Sequence, residues 1–121
     1  MGPAGIVEIP KFTSLIDGVL NSIRDLQDLS ITHIRHLSNY SDMILTHKHL
    51  PNRLIITISN KPQEYSILLQ KKLISTNNIE DYRNIKEIRV EGDNDPLSIQ
   101  QDIKNIVKNG EPILHHQYYP F

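Results

Sequence analysis

The chain has 121 residues, 38% of them hydrophobic and 22% charged, so it is long enough for one globular domain and does not have a disordered composition. It has no cysteine, which excludes disulfides, thiolate metal sites and a cysteine nucleophile and fits a reducing intracellular compartment, nuclear or cytoplasmic. The net charge of −1 excludes a bulk polycation, and no apolar run approaches the ~20 residues of a membrane helix, so we expect no membrane contact. Residues 1–11 also lack the basic start and long apolar stretch of a secretory signal.

The first third of the chain predicts helices. One apolar series recurs at helical spacings of three and four, at Phe12, Ile16, Val19, Ile23 and Leu26. A second series follows at Ile34, Leu37, Tyr40 and Ile44. The two series predict two helices or one kinked helix within residues 1–50. These helices either cover a sheet face or form an N-terminal arm that docks on a partner or on a second copy.

Residues 51–121 predict alternating strands and helices. Pro51 stops the preceding helix, and the β-branched run Leu54–Ser59 is typical of a strand buried on both faces. A helix is expected from Asn60 and Pro62 to about Ile74, with Tyr65, Leu68, Leu69 and Leu73 on one side.

The rest of this half repeats the pattern. Lys86–Glu91 alternates as a strand does, and Asp95 with Pro96 predicts the start of a second helix. That helix buries one apolar face and ends at Gly110, and a short strand follows at Ile113–His115. The buried residues of this helix are Ile99, Ile103, Ile106 and Val107.

The predicted fold class is therefore α/β: a small parallel or mixed sheet of three or four strands with flanking helices, preceded by an N-terminal helical arm or hairpin. Leu54–Ser59 and Glu87–Glu91 are expected side by side and parallel, because crossovers of this length imply parallel pairing. Gly5–Ile9 could add an edge strand. We expect a helical arm over residues 1–50 and a small α/β domain over residues 51–121, joined in one compact unit.

Charge is unevenly distributed along the chain. Residues 46–90 carry eight basic and four acidic side chains, between flanks in which acidic residues are in excess. This segment is either an ordinary solvated surface or a face directed toward a polyanion. The residues expected to contact RNA phosphates or a partner are Lys61, Lys71, Lys72, Arg83, Lys86 and Arg89. Tyr118 and Tyr119 are expected to stack on bases or to pack on a partner.

No catalytic or metal-binding signature is present in the sequence. The six histidines lack acidic partners in a known metal motif, so we predict no metal and no cofactor. Asn60, Lys61, Asp93 and Asp95 follow two predicted strands and could hold Mg²⁺ and a phosphate, but helix capping explains them more simply. Without a Gly-rich phosphate loop or a nucleophile arrangement, we predict that the protein is not an enzyme.

Two segments carry a family resemblance. "RLIITISNKPQEYSILLQKKL" and "IKEIRVEGDNDPLSIQQDIKNIVKNGEPIL", within residues 53–115, resemble the anticodon-binding domain of class II aminoacyl-tRNA synthetases. The module also occurs in a nuclear receptor coactivator and in fungal nuclear RNA-binding proteins. The matching positions are Tyr65, Leu69, Leu73, Leu97, Ser98, Ile99, Gly110, Glu111 and Pro112. The resemblance implies the α/β fold above and RNA binding.

Two functional hypotheses follow from the sequence. The first is a non-catalytic protein–protein interaction or adaptor subunit of a larger assembly, such as a ribonucleoprotein, with a protein partner or a second copy in a homodimer. The alternative is an RNA-binding module that uses the basic segment 46–90.

Overall fold

The computed structural model describes the backbone of residues 4–73 and 81–113 and the side chains of residues 12–73 and 81–108. In this part of the chain a helix comes first, five strands follow, and a second helix ends the series. The helices are α1 (Ala4–Arg24) and α2 (Pro96–Ile113). The strands are β1 (Leu29–His36), β2 (Tyr40–His47), β3 (Asn52–Asn60), β4 (Gln63–Leu73) and β5 (Asp81–Glu91).

The five strands form one antiparallel meander. Their order in the sheet is β1-β2-β3-β4-β5, so each strand pairs with its neighbours along the chain. The β3–β4 turn is tight, because Asn60 pairs directly with Gln63 across a cis Lys61–Pro62 bond. The register shifts in two places, in β1 between Ile31 and His33 and in β5 opposite Leu69 and Gln70.

The core lies on one face of this sheet. Every second side chain of the central strands points to that face, because successive residues of a strand alternate between faces. The buried hydrophobic strand residues are Met43, Leu45, Leu54, Ile56, Ile58, Tyr65, Ile67, Leu69 and Ile85. Both helices cover the same face and contribute the buried residues Phe12, Ile16, Val19, Ile23, Ile99, Ile103 and Ile106. No helix of the described part of the chain covers the other face, which we call the open face.

The two helices lie side by side and run in the same direction. Gly18 of α1 faces Pro96 of α2, and one turn later the Gln100 side chain donates a 2.8 Å hydrogen bond to the carbonyl of Ser22. The Asp95 carboxylate caps α2, accepting hydrogen bonds from the backbone N–H groups of Leu97 and Ser98 at 3.1 and 3.2 Å. The start predicted for α2 is therefore confirmed.

The end predicted for α2 is wrong. The helix continues past Gly110 to Ile113, so the strand expected at Ile113–His115 begins inside a helix. Residues 114 and 115 lie outside the described residues.

The parallel or mixed sheet of three or four strands is wrong: the sheet has five strands, all antiparallel, and the wrong strand direction comes from one segment. The residues expected to form a helix from Asn60 to about Ile74 form β4. β4 lies between β3 and β5 and pairs antiparallel with both. The physical reason is a second periodicity in the same residues: Tyr65, Ile67 and Leu69 alternate onto the core face, and the tight turn pairs β4 with β3.

The N-terminal helical arm is also wrong. Four members of the first apolar series belong to α1 and lie in the core of this chain, and Leu26, just after α1, is partly buried against that core. The second series, expected to be helical, lies in β1, in β2 and in the turn between them. Gly5–Ile9 lies within α1 and adds no edge strand. The Leu54–Ser59 and Glu87–Glu91 segments do form strands, and they run in the same direction, but β4 separates them.

Candidate functional site: the open face of the sheet

Three apolar side chains form a row across the middle of the open face. Ile44 on β2 pairs with Ile55 on β3, and Ile55 pairs with Leu68 on β4. Residues that pair directly across antiparallel strands point to the same face and lie in contact distance. All three side chains are partly buried by their neighbours and partly accessible. The row continues to His33 on β1 and to Glu87 on β5.

Two ion pairs lie along one side of this row. Arg35 of β1 and Asp42 of β2 form an ion pair with a 2.7 Å N–O distance, and the hydroxyl of Tyr40 donates to the same carboxylate at 3.2 Å. The hydrogen bond to Asp42 is the main cause that raises the pKa of Arg35 above its ordinary value. On β5, the guanidinium of Arg89 lies 4.0 Å from the carboxylate of Glu87.

A cation and an aromatic ring lie together on the other side of the row. Arg53 of β3 and Lys72 of β4 lie there with Tyr82 of β5. The guanidinium carbon of Arg53 lies 3.5 Å above the ring centroid of Tyr82. This separation is well within the range of a cation–π interaction.

A chain of hydrogen bonds holds the Arg53 side chain in place. Its Nε donates to the side-chain oxygen of Gln70 at 2.7 Å, and the amide nitrogen of Gln70 donates to the Asn84 side chain at 2.7 Å. These contacts join β3, β4 and β5. Arg53 is therefore presented on the open face in a fixed position.

The residues predicted to contact RNA or a partner do not lie on one surface. Lys72 and Arg89 are on the open face. Lys86 pairs with the core residue Leu69, and Lys71 pairs with Arg83, so these three lie on the helix-covered side of the sheet. Lys61 is in the β3–β4 turn. Tyr118 and Tyr119 lie outside the described residues.

The sequence interpretation did not select Arg53, Tyr82 or His33. A signal for Arg53 was available, because β3 alternates between Leu54, Ile56 and Ile58 on one face and more polar residues on the other. The contact between Arg53 and Tyr82 is not visible in the sequence, because it forms only once β4 pairs with both β3 and β5.

The polar residues that follow β5 have structural roles. The Asp93 carboxylate accepts a 2.9 Å hydrogen bond from the backbone of Asp95, which is itself the α2 cap. The buried Asn94 side chain bonds to the side chain of Gln63 at 3.0 Å and to the carbonyl of Ser59 at 3.2 Å. Across residues 12–73 and 81–108, no three His, Asp or Glu side chains are grouped so that they could hold a metal ion.

One further polar contact joins the helix layer to the sheet. The hydroxyl of the buried Tyr65 donates to the carboxylate of Asp102 on α2 at 2.5 Å. Burial, which disfavours the charged phenolate, is the main cause that raises the pKa of Tyr65, and the hydrogen bond to Asp102 adds to it.

Neither helix of the described chain combines the length and apolarity required to cross a bilayer.

The chain matches no family model, no curated protein and no solved structure. The likeness to anticodon-binding domains therefore stays a prediction from sequence.

Proposed function

We propose that the protein is a non-catalytic adaptor, a subunit of a larger assembly that binds a protein partner through the open face of its sheet. The row Ile44, Ile55 and Leu68 carries this proposal, because these apolar side chains lie at the centre of a face that no described helix covers. Protein interfaces concentrate their binding energy in such central apolar contacts and surround them with polar groups.

The charges around the row define the partner that would fit. Arg53, held over the Tyr82 ring on one side, favours acidic side chains in the partner, and the Arg35–Asp42 ion pair on the other side favours polar groups. The expected partner thus presents apolar side chains with acidic residues along one edge. A second copy of this chain is the alternative occupant of the face.

The test removes the apolar row without removing the fold. In the double variant Ile55→Thr, Leu68→Thr, both positions receive a residue that strands accept well, so the sheet should form. We expect affinity capture from the native cells to recover a protein with the wild-type chain and to lose it with this variant. The matched control is Leu97→Ser, which removes an apolar side chain that is 71% exposed on α2, away from the open face.

Three results would contradict the adaptor proposal. The captured protein could survive the double substitution, it could be lost equally with Leu97→Ser, or the wild-type chain could capture nothing that the variant does not. Light scattering on the purified wild type tests binding of a second copy directly. A stable dimer that the double variant abolishes would mean that the open face binds a second copy of this chain and not a different protein.

RNA binding is a second candidate function, and the contact between Arg53 and Tyr82 on the open face favours it. Arg53, Lys72 and Tyr82 combine cations with an aromatic ring, which is the combination that single-stranded nucleic acid binds. Retention of a labelled RNA pool should be strong at low salt and should fall steeply as salt rises, because phosphate contacts release counterions. No retention at low salt would remove this candidate and leave the adaptor proposal intact.

A further inference from the structure

The β1 edge of the sheet leaves an apolar side chain of the helix-covered face in solvent. Ile34 of β1 pairs with Met43 of β2, so both side chains point to the face that holds the core. Met43 is 1% exposed, whereas Ile34 is 45% exposed. The difference arises because β2 has a strand on each side, while β1 pairs with β2 alone among the described strands. One more strand outside β1 would cover Ile34 as β1 covers Met43.

A groove of about 480 Å³ runs between α1 and β1 at this edge. Its apolar lining residues are Leu20 and Ile23 of α1 and Leu29, Ile31 and Ile34 of β1. When an extended segment adds to the edge of a sheet, its backbone pairs with the edge strand and its alternate side chains need pockets beside that strand. The groove supplies such a pocket on the helix-covered face.

The two edge strands of the described sheet differ in charge. Charged side chains along an edge strand discourage pairing with another chain. On β1, the only Asp, Glu, Lys or Arg among eight residues is Arg35, and Asp42 of β2 holds it in an ion pair. β5 has such residues at six of its eleven positions. They are Asp81, Arg83, Lys86, Glu87, Arg89 and Glu91. The charge pattern therefore favours β1 as the edge that accepts another strand.

Hydrogen bonds at both ends of β1 fix which of its backbone groups point outward. The carbonyl of Asp28 accepts a bond from the N–H of Lys48, and the N–H of Leu37 donates to the carbonyl of Tyr40, so both ends bond toward β2. The direction of these groups alternates along an antiparallel strand, and the register shift at Thr32 absorbs one residue. The residues whose backbone groups point away from β2 are therefore Leu29, Ile31, Ile34 and His36.

A second copy of β1 matches this edge in one antiparallel register. When Ile31 lies opposite Ile34 of the second copy, Leu29 lies opposite its His36, and two-fold symmetry repeats both pairs. These four residues then direct their outward backbone groups at one another. Their side chains all point to the helix-covered face, because their β2 partners do. Ile34 of each copy reaches the groove beside Ile31 of the other.

Charge and area also fit a second copy. The same register places Arg35 opposite Ser30 of the second copy, so the two arginines do not meet across the symmetry axis. The eight residues of β1 make an edge about 27 Å long. The sheet and its helix layer are together roughly 20 Å thick. A contact of these dimensions approaches the area of about 800 Å² that each partner buries in a stable interface.

We propose that the protein forms a homodimer through β1, in which the two five-stranded sheets join into one continuous sheet. Ile34 of each copy packs into the groove between α1 and β1 of the other copy. The open faces of both copies lie on the same side of the joined sheet and stay accessible. The dimer therefore does not depend on the adaptor proposal, and it would present two partner-binding faces side by side.

Introduced cysteines test the register, since the chain has no cysteine of its own. Ile31→Cys and Ile34→Cys are purified separately and then oxidised, each alone and as a mixture. Directly paired residues have Cα atoms about 5.5 Å apart, within reach of a disulfide, whereas two copies of residue 31 would lie roughly 10 Å apart. We expect the mixture to form a disulfide-linked dimer with one chain of each kind, at least tenfold faster than either variant alone forms one.

Sedimentation velocity of the full chain at rising concentration measures the dimer itself. Ile34→Lys places a charge at the joined edge, so we expect it to raise the dissociation constant of the dimer at least tenfold. Leu97→Lys is the matched control, because it makes the same kind of change at an exposed position on α2, and it should dimerise as the wild type does. The open-face variant Ile55→Thr, Leu68→Thr should also stay dimeric.

Four results would overturn the β1 dimer. The wild type could be monomeric at every concentration, Ile34→Lys could dimerise as tightly as the wild type, or the cysteine mixture could crosslink no faster than the single variants. A dimer that the open-face variant loses and Ile34→Lys keeps would place the second copy on the open face. If Ile34→Lys does not fold by circular dichroism, the cysteine mixture decides.

Failure of the dimer and failure of the adaptor function are distinguishable. A dimer that Ile34→Lys dissociates, in a chain that captures no protein from the native cells, supports the β1 dimer and contradicts the adaptor function. A monomeric wild type that captures a protein, which Ile34→Lys then loses, assigns the β1 edge to a strand of that protein and overturns the dimer.

Discussion

At the scale of single residues, Tyr65 links the sheet to the helix layer by a hydrogen bond to a carboxylate. Its ring belongs to the core, and its hydroxyl donates to Asp102 on α2 at 2.5 Å. A hydrogen bond to a charged acceptor contributes more to stability than one between neutral groups, and burial keeps the phenol protonated. The same arrangement makes the stability of the fold depend on pH in the alkaline range.

We predict that Tyr65→Phe lowers the free energy of unfolding by about 1–2 kcal/mol at neutral pH, because the ring stays buried while the hydrogen bond is lost. Since the pKa of Tyr65 is raised in the folded chain, the native state keeps its proton above pH ~10, where the unfolded chain loses it. The stability that this hydroxyl contributes is complete below pH ~10 and is lost as pH rises further, by at most ~1.4 kcal/mol per pH unit.

Urea titrations of both proteins between pH 7 and pH 11 measure the effect. The difference in unfolding free energy between wild type and variant should be constant at neutral pH and should shrink at the alkaline end. The other tyrosines are present in both proteins and cancel from the difference. A difference that grows with pH would contradict the assigned cause.

At the scale of elements, the sequence predicted α2 better than any other segment, because Asp95 and Pro96 mark its start by local chemistry alone. It failed at β4, where local signals conflict. Leu68, Leu69 and Leu73 have helical spacing, while Tyr65, Ile67 and Leu69 alternate as in a strand. Pairing with β3 and β5 decides the conflict, and such tertiary pairing is invisible in a short window of residues.

The candidate site was predictable only in part for the same reason. The count of basic residues in segment 46–90 pointed to Lys72 and Arg89, which do lie on the open face. It could not separate them from Lys71, Arg83 and Lys86, because the face of each residue depends on strand register. A one-residue shift in the β5 pairing is what places Lys86 on the core side.

The contact between the two helices gives an element-scale prediction. A Cβ at Gly18 would lie 3.3 Å from Cγ of Pro96, so an alanine fits only if the ring moves by a few tenths of an ångström, and a leucine does not fit. We predict that Gly18→Leu lowers the free energy of unfolding by about 1–3 kcal/mol through overpacking. Gly18→Ala should change it by less than about 1 kcal/mol, because the higher helix propensity of alanine offsets the contact.

Chemical denaturation measures both variants against Ser14→Leu, which places the same side chain at an exposed position of α1 one turn earlier. Ser14→Leu should stay close to wild type. Equal stability of Gly18→Leu and Ser14→Leu would show that the two helices do not approach each other at this point.

At the scale of the whole molecule, one core joins both ends of the chain. Of its residues, Phe12, Ile16, Val19 and Ile23 come from α1, and Met43 and Leu45 come from β2, all before residue 51. The rest come from β3, β4, β5 and α2. The boundary expected near residue 50 falls in the loop between β2 and β3, which pair along seven residues of each strand.

We therefore predict that the fragment 51–121 does not fold alone. Removing residues 1–50 deletes six large buried side chains, each of which stabilises the fold by about 1.5–3 kcal/mol, and the total is comparable to the whole stability of a small domain. It also exposes β3 as an unpaired edge, which promotes aggregation.

The full chain should unfold in a single urea transition by circular dichroism, and the fragment should show none. Adding a peptide of residues 1–50 should restore that transition, because it returns α1, β1 and β2 to the sheet. A fragment that unfolds cooperatively without the peptide would mean that the second half of the chain has a core of its own, and the α1 contacts would then serve attachment and not folding.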